Sequence, residues 1–524
     1  MRLKPLIAAG AALVAGTAVV LAAGTAAAAT THYEAETAPA VCTGTIDSDH
    51  SGFSGSGFCN GTNATSGFAQ FTVSASAAGT ATLSVRYANG TTTSRPANLV
   101  VNGATVQTPS FAGTGAWTTW ATQTLTANLN SGSNTIRLNP TTANGLPNID
   151  YLEVTTEGTP TTPPPSGALY VAPNGSASAP GTQSSPTTLP SAISRIAAGG
   201  TIFMRGGSYN LSQTVTIAPG NNGTSSARKR LFAFQGERPV LNFSAQSEDP
   251  ANRGLAVNGN FWHVNGIIVE RAGDNGIFVG GSNNIIERTV TRFNRDSGLQ
   301  LSRIASDTPR DQWPANNLIL SAESHDNADS DGEDADGFAP KLTVGSGNVF
   351  RYTVSHNNID DGYDLFTKTD TGAIGAITIE DSLAYDNGTL SNGGQAGSGD
   401  RNGFKLGGED IAVNHTVRRN IAFENGKHGF TYNRNLGSMQ ILNNLSIGNE
   451  ERNFNFDGGT SVFRNNTSCN SGSTDRIIGN SDSSNQFWSG SNGSRCSSFT
   501  GALAWSFAAD GRLVVTLGGR QVTL

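Results

Sequence analysis

Three carboxylates lie within the five residues Asp360-Asp361-Gly362-Tyr363-Asp364. A set of oxygen ligands at such short spacing suits Ca²⁺, which takes about six to eight oxygens in a flexible geometry. The alternative is an acidic turn in solvent. The segment by itself fits both interpretations, so the elements that position these carboxylates must decide between them.

A glycine–apolar dipeptide recurs through the second half of the chain. The dipeptides are Gly276-Ile277, Gly298-Leu299, Gly337-Phe338, Gly362-Tyr363, Gly403-Phe404 and Gly429-Phe430. Their spacings of 22, 39, 25, 41 and 26 residues indicate a coil of 22 to 26 residues, with long insertions in two coils. This period, without regularly spaced leucines or helix-forming stretches, favours a right-handed parallel β-helix over a leucine-rich repeat.

Turn asparagines accompany these glycines and are expected to stack as a ladder that satisfies backbone groups inside the solenoid. They are Asn294, Asn327, Asn358, Asn387, Asn425, Asn449 and Asn470. The residues directly before the glycines should form an equivalent column, Asn275, Ser297, Asp336, Asp361, Asn402 and His428. The residues two positions after the glycines should form another, Phe278, Gln300, Ala339, Asp364, Lys405 and Thr431.

This register gathers charged residues on adjacent strands, which lie about 4.8 Å apart in a sheet. Asp336 falls one strand from Asp361, and Asp364 falls one strand from Lys405. Gly362 is expected to bend the chain so that Asp360 and Asp361 both face outward. The insertions at 328–335 and 388–401 should wall a groove, so a functional site is favoured over a solvated turn. His428 follows in the same column, where a hydrogen-bonded ladder residue is the alternative to a site residue.

One competing motif lies in the first insertion. Asp329, Asp331 and Gly332 open like an EF-hand loop, but Phe338 stands where a bidentate Glu is needed, and no helices flank the segment. We interpret it as an acidic insertion, with a secondary cation site as the alternative.

Residues 1–29 have the pattern of a secretory signal, with two basic residues, an apolar run and a stretch of small residues. We therefore expect a secreted, extracellular protein. Residues 156–167, rich in Thr and Pro, predict a linker between a domain at 30–155 and a larger domain at 168–524. Apolar and polar residues alternate in the last segment, 499–524, which predicts closing strands that cap or flank the solenoid.

Composition supports an all-β protein, with 64 glycines and only 14% charged residues. The net charge of −7 argues against a nucleic-acid partner, and no later segment is apolar and long enough to span a membrane. A monomer is expected. In an oxidising compartment the four cysteines predict two local disulfides, Cys42–Cys59 and Cys469–Cys496.

The domain at 30–155 alternates apolar and polar residues in short runs, which predicts a β-sandwich. Alternation places Glu34 and Glu36 on one face, where Asp150 of a paired terminal strand can join them around a cation. The segments YEAE, RYANG, GAWTTW and NIDYLEV, within residues 32–154, resemble a family 35 carbohydrate-binding module. The resemblance implies a jelly-roll sandwich that binds plant cell-wall carbohydrate. It also implies a calcium held by Glu34, Glu36 and Asp150 and a sugar site with Trp117 and Asn148; a core aromatic is the alternative for Trp117.

The motifs DGFAPK at 336–341, DDGYDLF at 360–366 and NGFKLGG at 402–408 resemble those of family 9 pectate lyases. The resemblance implies a parallel β-helix enzyme acting on pectate or a related uronate polysaccharide. It also implies a calcium bound by Asp336, Asp360, Asp361 and Asp364, with Lys405 as the Brønsted base. β-Elimination removes the C5 proton beside a carboxylate, and calcium on that carboxylate acidifies the proton. Activity should rise into the alkaline range, because lysine is a base only when deprotonated.

Further basic and polar residues are candidates for binding neighbouring substrate carboxylates, with ordinary surface charge as the alternative. They are Lys341, Lys368, Arg401, Asn402 and Arg434. Rival functions are a hydrolase of polygalacturonase type, a lyase on another uronate polymer and a noncatalytic polysaccharide-binding protein. The Gly-His-Gly and Arg-Ile-Lys segments expected of polygalacturonases do not occur in the sequence.

Overall fold

The computed structural model describes residues 29–75, 79–130, 132–156 and 167–524. The chain divides into two compact units, residues 1–162 and 163–524, and the division falls within the predicted linker at 156–167. Residues 1–28 of the predicted signal and residues 157–166 of the linker lie outside the described residues. Within the described ranges, no helix has the length and apolar character needed to cross a membrane.

The N-terminal unit contains two six-stranded antiparallel sheets. One contains Ala29–Glu34, Thr45–Asp47, Phe58–Asn60, Gly79–Ala88, Ala121–Leu129 and Asn148–Thr156. The other contains Val41–Cys42, Ala69–Ala75, Arg95–Val101, Ala104–Gln107, Ser110–Phe111 and Gly132–Pro140. Alternate residues of these strands, such as Phe71, Leu83 and Ile136, are buried in one hydrophobic core, as the period of two requires. The predicted sandwich and the Cys42–Cys59 disulfide are both present.

The C-terminal unit is a solenoid of three parallel sheets, which we call the first sheet, the second sheet and the site sheet. The first sheet contains Leu169–Val171, Thr201–Met204, Lys229–Ala233, Trp262–Asn265, Ile285–Glu287, Leu318–Leu320, Asn348–Arg351, Ile377–Glu380, Thr416–Arg418, Gln440–Leu442, Val462–Arg464 and Asn480–Ser481. The second contains Gly207–Asn210, Pro239–Asn242, Ile268–Glu270, Val290–Arg292, Glu323–His325, Val354–His356, Leu383–Tyr385, Ile421–Phe423, Leu445–Ile447 and Thr467–Cys469. The site sheet contains Val215–Ile217, Leu255–Val257, Ile277–Val279, Leu299–Leu301, Phe338–Pro340, Tyr363–Asp364, Phe404–Lys405, His428–Thr431, Arg452–Phe456 and Arg476–Ile477.

Within residues 167–524, ten successive coils each contribute one strand to each sheet, and the first sheet has one further strand at either end, Leu169–Val171 and Asn480–Ser481. The predicted parallel β-helix is therefore confirmed. The register is also as predicted, because Phe338 pairs with Tyr363 and Asp364 pairs with Lys405. The aromatic residues after Gly337, Gly362, Gly403 and Gly429 stack with Phe454 as a column of buried rings, with centroids 4.6 to 5.2 Å apart. This column consists of Phe338, Tyr363, Phe404, Phe430 and Phe454. It fills the interior directly beneath the site sheet.

The asparagine ladder is confirmed over six of its seven predicted members. Each side-chain amide donates to the carboxamide oxygen of the next coil, at 2.8 Å from Asn294 to Asn327 and 2.9 Å from Asn387 to Asn425. The prediction for Asn470 is wrong. Asn470 is exposed at a turn where the coil changes shape, and Asn453 takes the next ladder position, accepting from Asn449 at 2.7 Å.

The glycine column packs against this ladder, and that packing explains why these positions exclude larger residues. At Gly362, an added Cβ would lie 2.6 Å from the Gly403 carbonyl oxygen and 2.8 Å from Asn387 Nδ2. The backbone of Gly362 does not adopt the left-handed conformation. Gly362 therefore lies at a bend, as predicted, but a glycine is needed there for space and not for an unusual φ.

Short elements complete the unit. The helix Leu189–Arg195 buries Leu189 and Ile193 in the core of the first coils, and single 3₁₀ turns lie at Arg310–Gln312 and Ser494–Ser498. The predicted closing strands are Leu503–Phe507, Leu513–Leu517 and Arg520–Gln521. They flank the second sheet, where Val515 and Leu517 pack with Val354 and Leu383. The Cys469–Cys496 disulfide is formed beside them.

Candidate active site

Three of the predicted metal ligands form one tight cluster at the start of adjacent site-sheet strands. Oxygens of Asp336, Asp360 and Asp361 all lie within 4.8 Å of one another, and the residues are 0%, 3% and 0% exposed. Asp361 also donates its backbone N–H to Asp336 Oδ1 at 3.2 Å. The fourth predicted ligand, Asp364, is 3% exposed on the strand that follows. Three of the four predicted ligands therefore form one cluster, and Asp364 lies near two lysines, 3.4 Å from Lys341 Nζ and 3.7 Å from Lys405 Nζ.

Groups from the next coil fix the orientation of two of these carboxylates. Asp361 Oδ1 accepts hydrogen bonds from Asn402 N at 2.7 Å and from Asn402 Nδ2 at 2.9 Å. Asp360 Oδ1 accepts from the backbone N–H of Asp400 and, at 3.3 Å, from that of Arg401. The end of the second insertion therefore holds the carboxylate cluster in place.

Two lysines, and not one, contact the cluster. Lys341 Nζ lies 2.7 Å from Asp336 Oδ2 and 3.4 Å from Asp364 Oδ2. Lys405 Nζ lies 3.0 Å from Asp361 Oδ2, 3.7 Å from Asp364 Oδ2 and 3.2 Å from Asp400 Oδ2. Sequence reasoning missed Asp400, because it belongs to an insertion and has no counterpart in the repeat.

Burial and mutual repulsion shift the pKa values of these groups. Burial raises the pKa of Asp361 to about 6, although Lys405 opposes this shift. Burial and neighbouring carboxylates also hold the pKa values of Asp336 and Asp360 well above their usual range. For Lys405, burial acts to lower the pKa, but the surrounding aspartates outweigh it and hold the pKa well above its usual range. Lys405 is therefore an ammonium when only protein charges surround it.

The donor set fits a hard cation. Asp364 Oδ1 is buried and has no hydrogen-bond partner, and Asp361 Oδ2 has no hydrogen bond beyond its ionic contact with Lys405. Leaving a buried carboxylate oxygen unsatisfied is costly unless a charged ligand completes it. All four candidate ligands offer oxygen, as Ca²⁺ prefers.

The cluster opens into a groove of about 730 Å³. Asp334 from the first insertion and Ser398 from the second line it, and Gly399 N donates to Gly332 O at 3.0 Å, so the two insertions contact each other. The prediction that both insertions wall a groove is confirmed. The EF-hand-like segment is part of this wall, between strands and not between helices.

The predicted substrate-binding residues divide into two groups. Lys341, Lys368 and Arg434 line the groove. Arg401 is absent from its lining; the side chain packs over Gly388 and pairs with Glu450 at 3.4 Å. Asn402 is 2% exposed and donates its side-chain amide to Asp361, so it is placed to support a candidate metal ligand and not to contact substrate.

The predicted calcium ligands of the N-terminal unit surround one loop. Ser54 Oγ donates to Glu34 Oε2 at 2.8 Å, and Ser54 N donates to Asp150 Oδ1 at 3.0 Å. Ser56 N donates to Glu36 Oε1 at 2.8 Å, while Glu36 Oε2 is buried without a partner. Among the residues that the structure describes, these three carboxylates do not form a cluster as tight as that of the solenoid.

Trp117 and Asn148 lie at one end of the sandwich. The Trp117 ring covers Gly90, where an added Cβ would lie 2.5 Å away, and the Arg95 guanidinium lies 5.4 Å from the ring centroid. Trp117 is half-buried and lies outside the main hydrophobic core, against the alternative of a core aromatic. Asn148 is buried and pairs with Ala88, two residues before Gly90.

Comparisons with known proteins agree with this geometry. Residues 169–470 match the family described as "Pel9A-like, right handed beta helix region", and residues 65–154 match "Alpha-galactosidase, CBM13 domain". Pectate lyase L of Paenibacillus polymyxa (strain SC2) is 54% identical over 324 residues, which are 62% of this chain and 72% of that protein. The crystal structure of pectate lyase Pel9A is 30% identical, with 66% of this chain and 86% of that chain covered and a TM-score of 0.56.

For the N-terminal unit, the solved CBM35 from Cellvibrio japonicus Abf62 is 44% identical, with 25% of this chain and 95% of that chain covered and a TM-score of 0.24. Both resemblances and the predicted fold class are confirmed. The chain therefore belongs to the Pel9A-like family of right-handed β-helix proteins, and it is a polysaccharide lyase with an N-terminal carbohydrate-binding module.

Proposed function

We propose that this protein is a secreted, calcium-dependent pectate lyase that cleaves polygalacturonate by β-elimination with Lys405 as the base. The observation that carries the proposal is the position of Lys405 Nζ, 3.0 Å from Asp361 and beside three tightly clustered carboxylates. Relatives named pectate lyase support the choice of substrate.

Lys405 would take the C5 proton of the bound uronate. The proton moves to Nζ, the C4–O bond breaks, a C4=C5 double bond forms, and the leaving oxygen takes up a proton. Asp361, Asp364 and Asp400 surround Nζ and restrict where it can lie. Asp400 is itself held by Lys427 at 2.7 Å, so the base is supported from the second insertion as well as from the site sheet.

Calcium would be held by Asp336, Asp360, Asp361 and Asp364. When bound, it would draw electron density from the substrate carboxylate and so acidify the C5 proton. Lys341, Lys368 and Arg434 carry positive charge into the same groove, where neighbouring uronates place their carboxylates.

The remaining parts of the chain extend this function. We expect residues 1–29 to direct secretion, and the N-terminal module to bind plant cell-wall carbohydrate near Trp117 and Asn148. Glu34, Glu36 and Asp150 would hold a structural calcium in the module, as the buried free oxygen of Glu36 supports. The protein is expected to act as a monomer, with no nucleic-acid partner.

The test is incubation of the mature protein with polygalacturonate while the ultraviolet absorbance of the unsaturated product is followed. Absorbance should rise with Ca²⁺ and stop with a chelator. Lys405→Ala should lower kcat by roughly 10²- to 10⁴-fold, the usual contribution of a positioned base. Lys368→Ala is the matched control, because this exposed lysine lines the same groove and should affect KM more than kcat.

The other outcomes identify the rival functions. Reducing sugar without absorbance would show a hydrolase, and product only from another uronate polymer would show a lyase of different specificity. Binding without product would show a noncatalytic protein.

A further inference from the structure

The two outward columns of the site sheet change from acidic to basic along the solenoid. In order, the first column is Asp336, Asp361, Asn402, His428 and Arg452. The second is Asp364, Lys405, Thr431, Asn455 and Arg476. The same register that assembles the candidate metal site therefore continues into a surface with opposite charge.

A second cavity of about 320 Å³ lies over the basic end of these columns. Its charged lining residues are the basic Lys427, Arg434, Arg452 and Arg476 and the acidic Asp400 and Asp457. Asp400 and Arg434 also line the groove at the carboxylate cluster, so the two cavities adjoin each other. We call the part formed by Lys427, His428, Arg452 and Arg476 the basic cleft.

Two side chains of the basic cleft have unused binding capacity. Among the described residues, no carboxylate lies within ion-pair distance of Arg452, whose Nε donates to Thr474 O at 3.1 Å. His428 is 5% exposed; its Nε2 lies 3.6 Å from Glu451 Oε2, and its Nδ1 is buried without a hydrogen-bond partner. Burial, reinforced by Lys427 and Arg452, lowers the pKa of His428 to about 4, so the ring is neutral and suited to a hydroxyl group.

Lys427 is paired with Asp400 and Arg476 with Asp457, so Arg452 is the cation of the three that has no ion pair among the described residues. The cleft therefore offers an unpaired cation, two paired cations and a neutral hydrogen-bonding group. A uronate residue presents the matching set, one carboxylate and several hydroxyls. Arg476 stands three strands from Lys405, or about 14 Å at the usual strand spacing. A sugar chain that lies along the solenoid from Lys405 would place later residues over these strands.

We propose that the basic cleft is an extended subsite that binds the free carboxylates of uronate residues beyond the one at Lys405, on the same substrate chain. This inference rests on the proposed function. It makes Lys427, Arg452 and Arg476 determinants of specificity, because a methyl-esterified residue at the cleft carries no charge for them to bind. The enzyme should therefore favour long runs of unesterified uronate.

The test compares the wild type with Arg452→Gln/Arg476→Gln on trigalacturonate and on hexagalacturonate at saturating Ca²⁺. The matched control is Arg512→Gln/Arg520→Gln, which removes the same charge from exposed residues of the C-terminal strands. On the hexamer, the first double variant should raise KM by about tenfold with kcat nearly unchanged, since two charge-assisted contacts are lost. On the trimer it should match the wild type, and the control should match the wild type on both.

Equal KM values for the wild type and the first variant on the hexamer would overturn the inference. An equal loss on trimer and hexamer would also overturn it, because that pattern indicates a structural role. Direct binding of hexagalacturonate to Lys405→Ala, with and without the two arginine changes, gives a readout without catalysis. A wild type that binds the hexamer through these arginines but forms no product would refute the lyase proposal and leave the subsite standing.

Discussion

Lys405 combines two requirements that oppose each other. Its ammonium pairs with Asp361, Asp364 and Asp400, and these contacts position Nζ but also stabilise its proton. The pKa of Lys405 is held well above its usual range by these carboxylates, even though burial acts in the other direction. A base that is positioned by anions therefore needs another positive charge nearby before it can lose its proton at moderate pH.

The pH dependence of the reaction should therefore respond to calcium. Below the pKa of Lys405, each unit of pH lowers the neutral fraction of the amine about tenfold, so kcat/KM should rise from about pH 7 to pH 10. A divalent cation among the four aspartates offsets their charge and lowers the pKa of Lys405. Profiles of kcat/KM measured at limiting and saturating Ca²⁺ should show the rising limb at lower pH when Ca²⁺ is saturating. If the rising part of the profile lies at the same pH at both Ca²⁺ concentrations, Ca²⁺ does not lower the pKa of Lys405 and the prediction is wrong.

The aspartates predict a second pH effect, on stability. Asp361 has a pKa of about 6 in the folded, calcium-free protein, above the unfolded value of about 3.9. Its contribution is therefore fully present below about pH 4 and is lost as pH rises through 6, by about 3 kcal/mol. Protons compete with Ca²⁺ for the same oxygens, so Ca²⁺ should raise Tm more at about pH 8 than at pH 5. Thermal unfolding with chelator and with Ca²⁺ at both pH values measures this; Asp361→Asn should abolish most of the difference.

At the scale of elements, the asparagine ladder links the solenoid interior to the candidate metal site. Asn387 donates to Asn425 and accepts from Asn358 at 3.0 Å, and its amide lies against Gly362 of the aspartate segment. The ladder therefore packs against the segment that carries Asp360 and Asp361.

Asn387→Ala should destabilise the solenoid by roughly 2–4 kcal/mol, because it removes the side-chain hydrogen bonds that Asn387 makes with the buried Asn358 and Asn425. It should also weaken calcium activation, since the segment next to Gly362 loses its support. The control is Asn414→Ala, an exposed asparagine that accepts one hydrogen bond, from Ser438 N at 2.7 Å. Urea unfolding should show a loss below about 1 kcal/mol for this control. Equal losses for the two variants would mean that the ladder is not a special source of stability.

The parts of the solenoid that repeat along the chain could be predicted from the sequence, and the insertions, which do not repeat, could not. The site-sheet columns were predictable because one glycine per coil sets the register, and Asp364 and Lys405 do pair across it. The insertions do not repeat, so the contact between Asp400 and Lys405 and the outward turn of Arg401 depend on loop conformations without a period. Arg401 has a φ of 62°, a left-handed backbone conformation that an arginine does not predict.

Further asparagine ladders run through the solenoid beside the predicted one. Asn284, Asn317 and Asn348 stack before the first sheet, where Asn317 Nδ2 donates to Asn348 Oδ1 at 2.9 Å. Asn420, Asn444 and Asn466 stack before the second sheet. These ladders have no glycine–aromatic pair beside them, so the glycine repeat does not predict them.

At the scale of the whole molecule, the two units have separate hydrophobic cores, and each carries its own candidate site. Binding by the module and catalysis by the solenoid should therefore be separable by mutation. Trp117 is half-buried outside the module core, so its removal should remove sugar contact at little cost to the fold.

In the full-length protein, Trp117→Ala should leave kcat/KM on soluble polygalacturonate within about twofold of the wild type. Its binding to insoluble plant cell wall should fall by about tenfold or more, because a half-buried aromatic supplies much of the contact energy of a sugar site. Pull-down on cell-wall material measures the binding, and product absorbance measures activity on the same preparation. Lys405→Ala is the converse control and should retain cell-wall binding while losing catalysis. Loss of both properties in Trp117→Ala would show that the two units do not act independently.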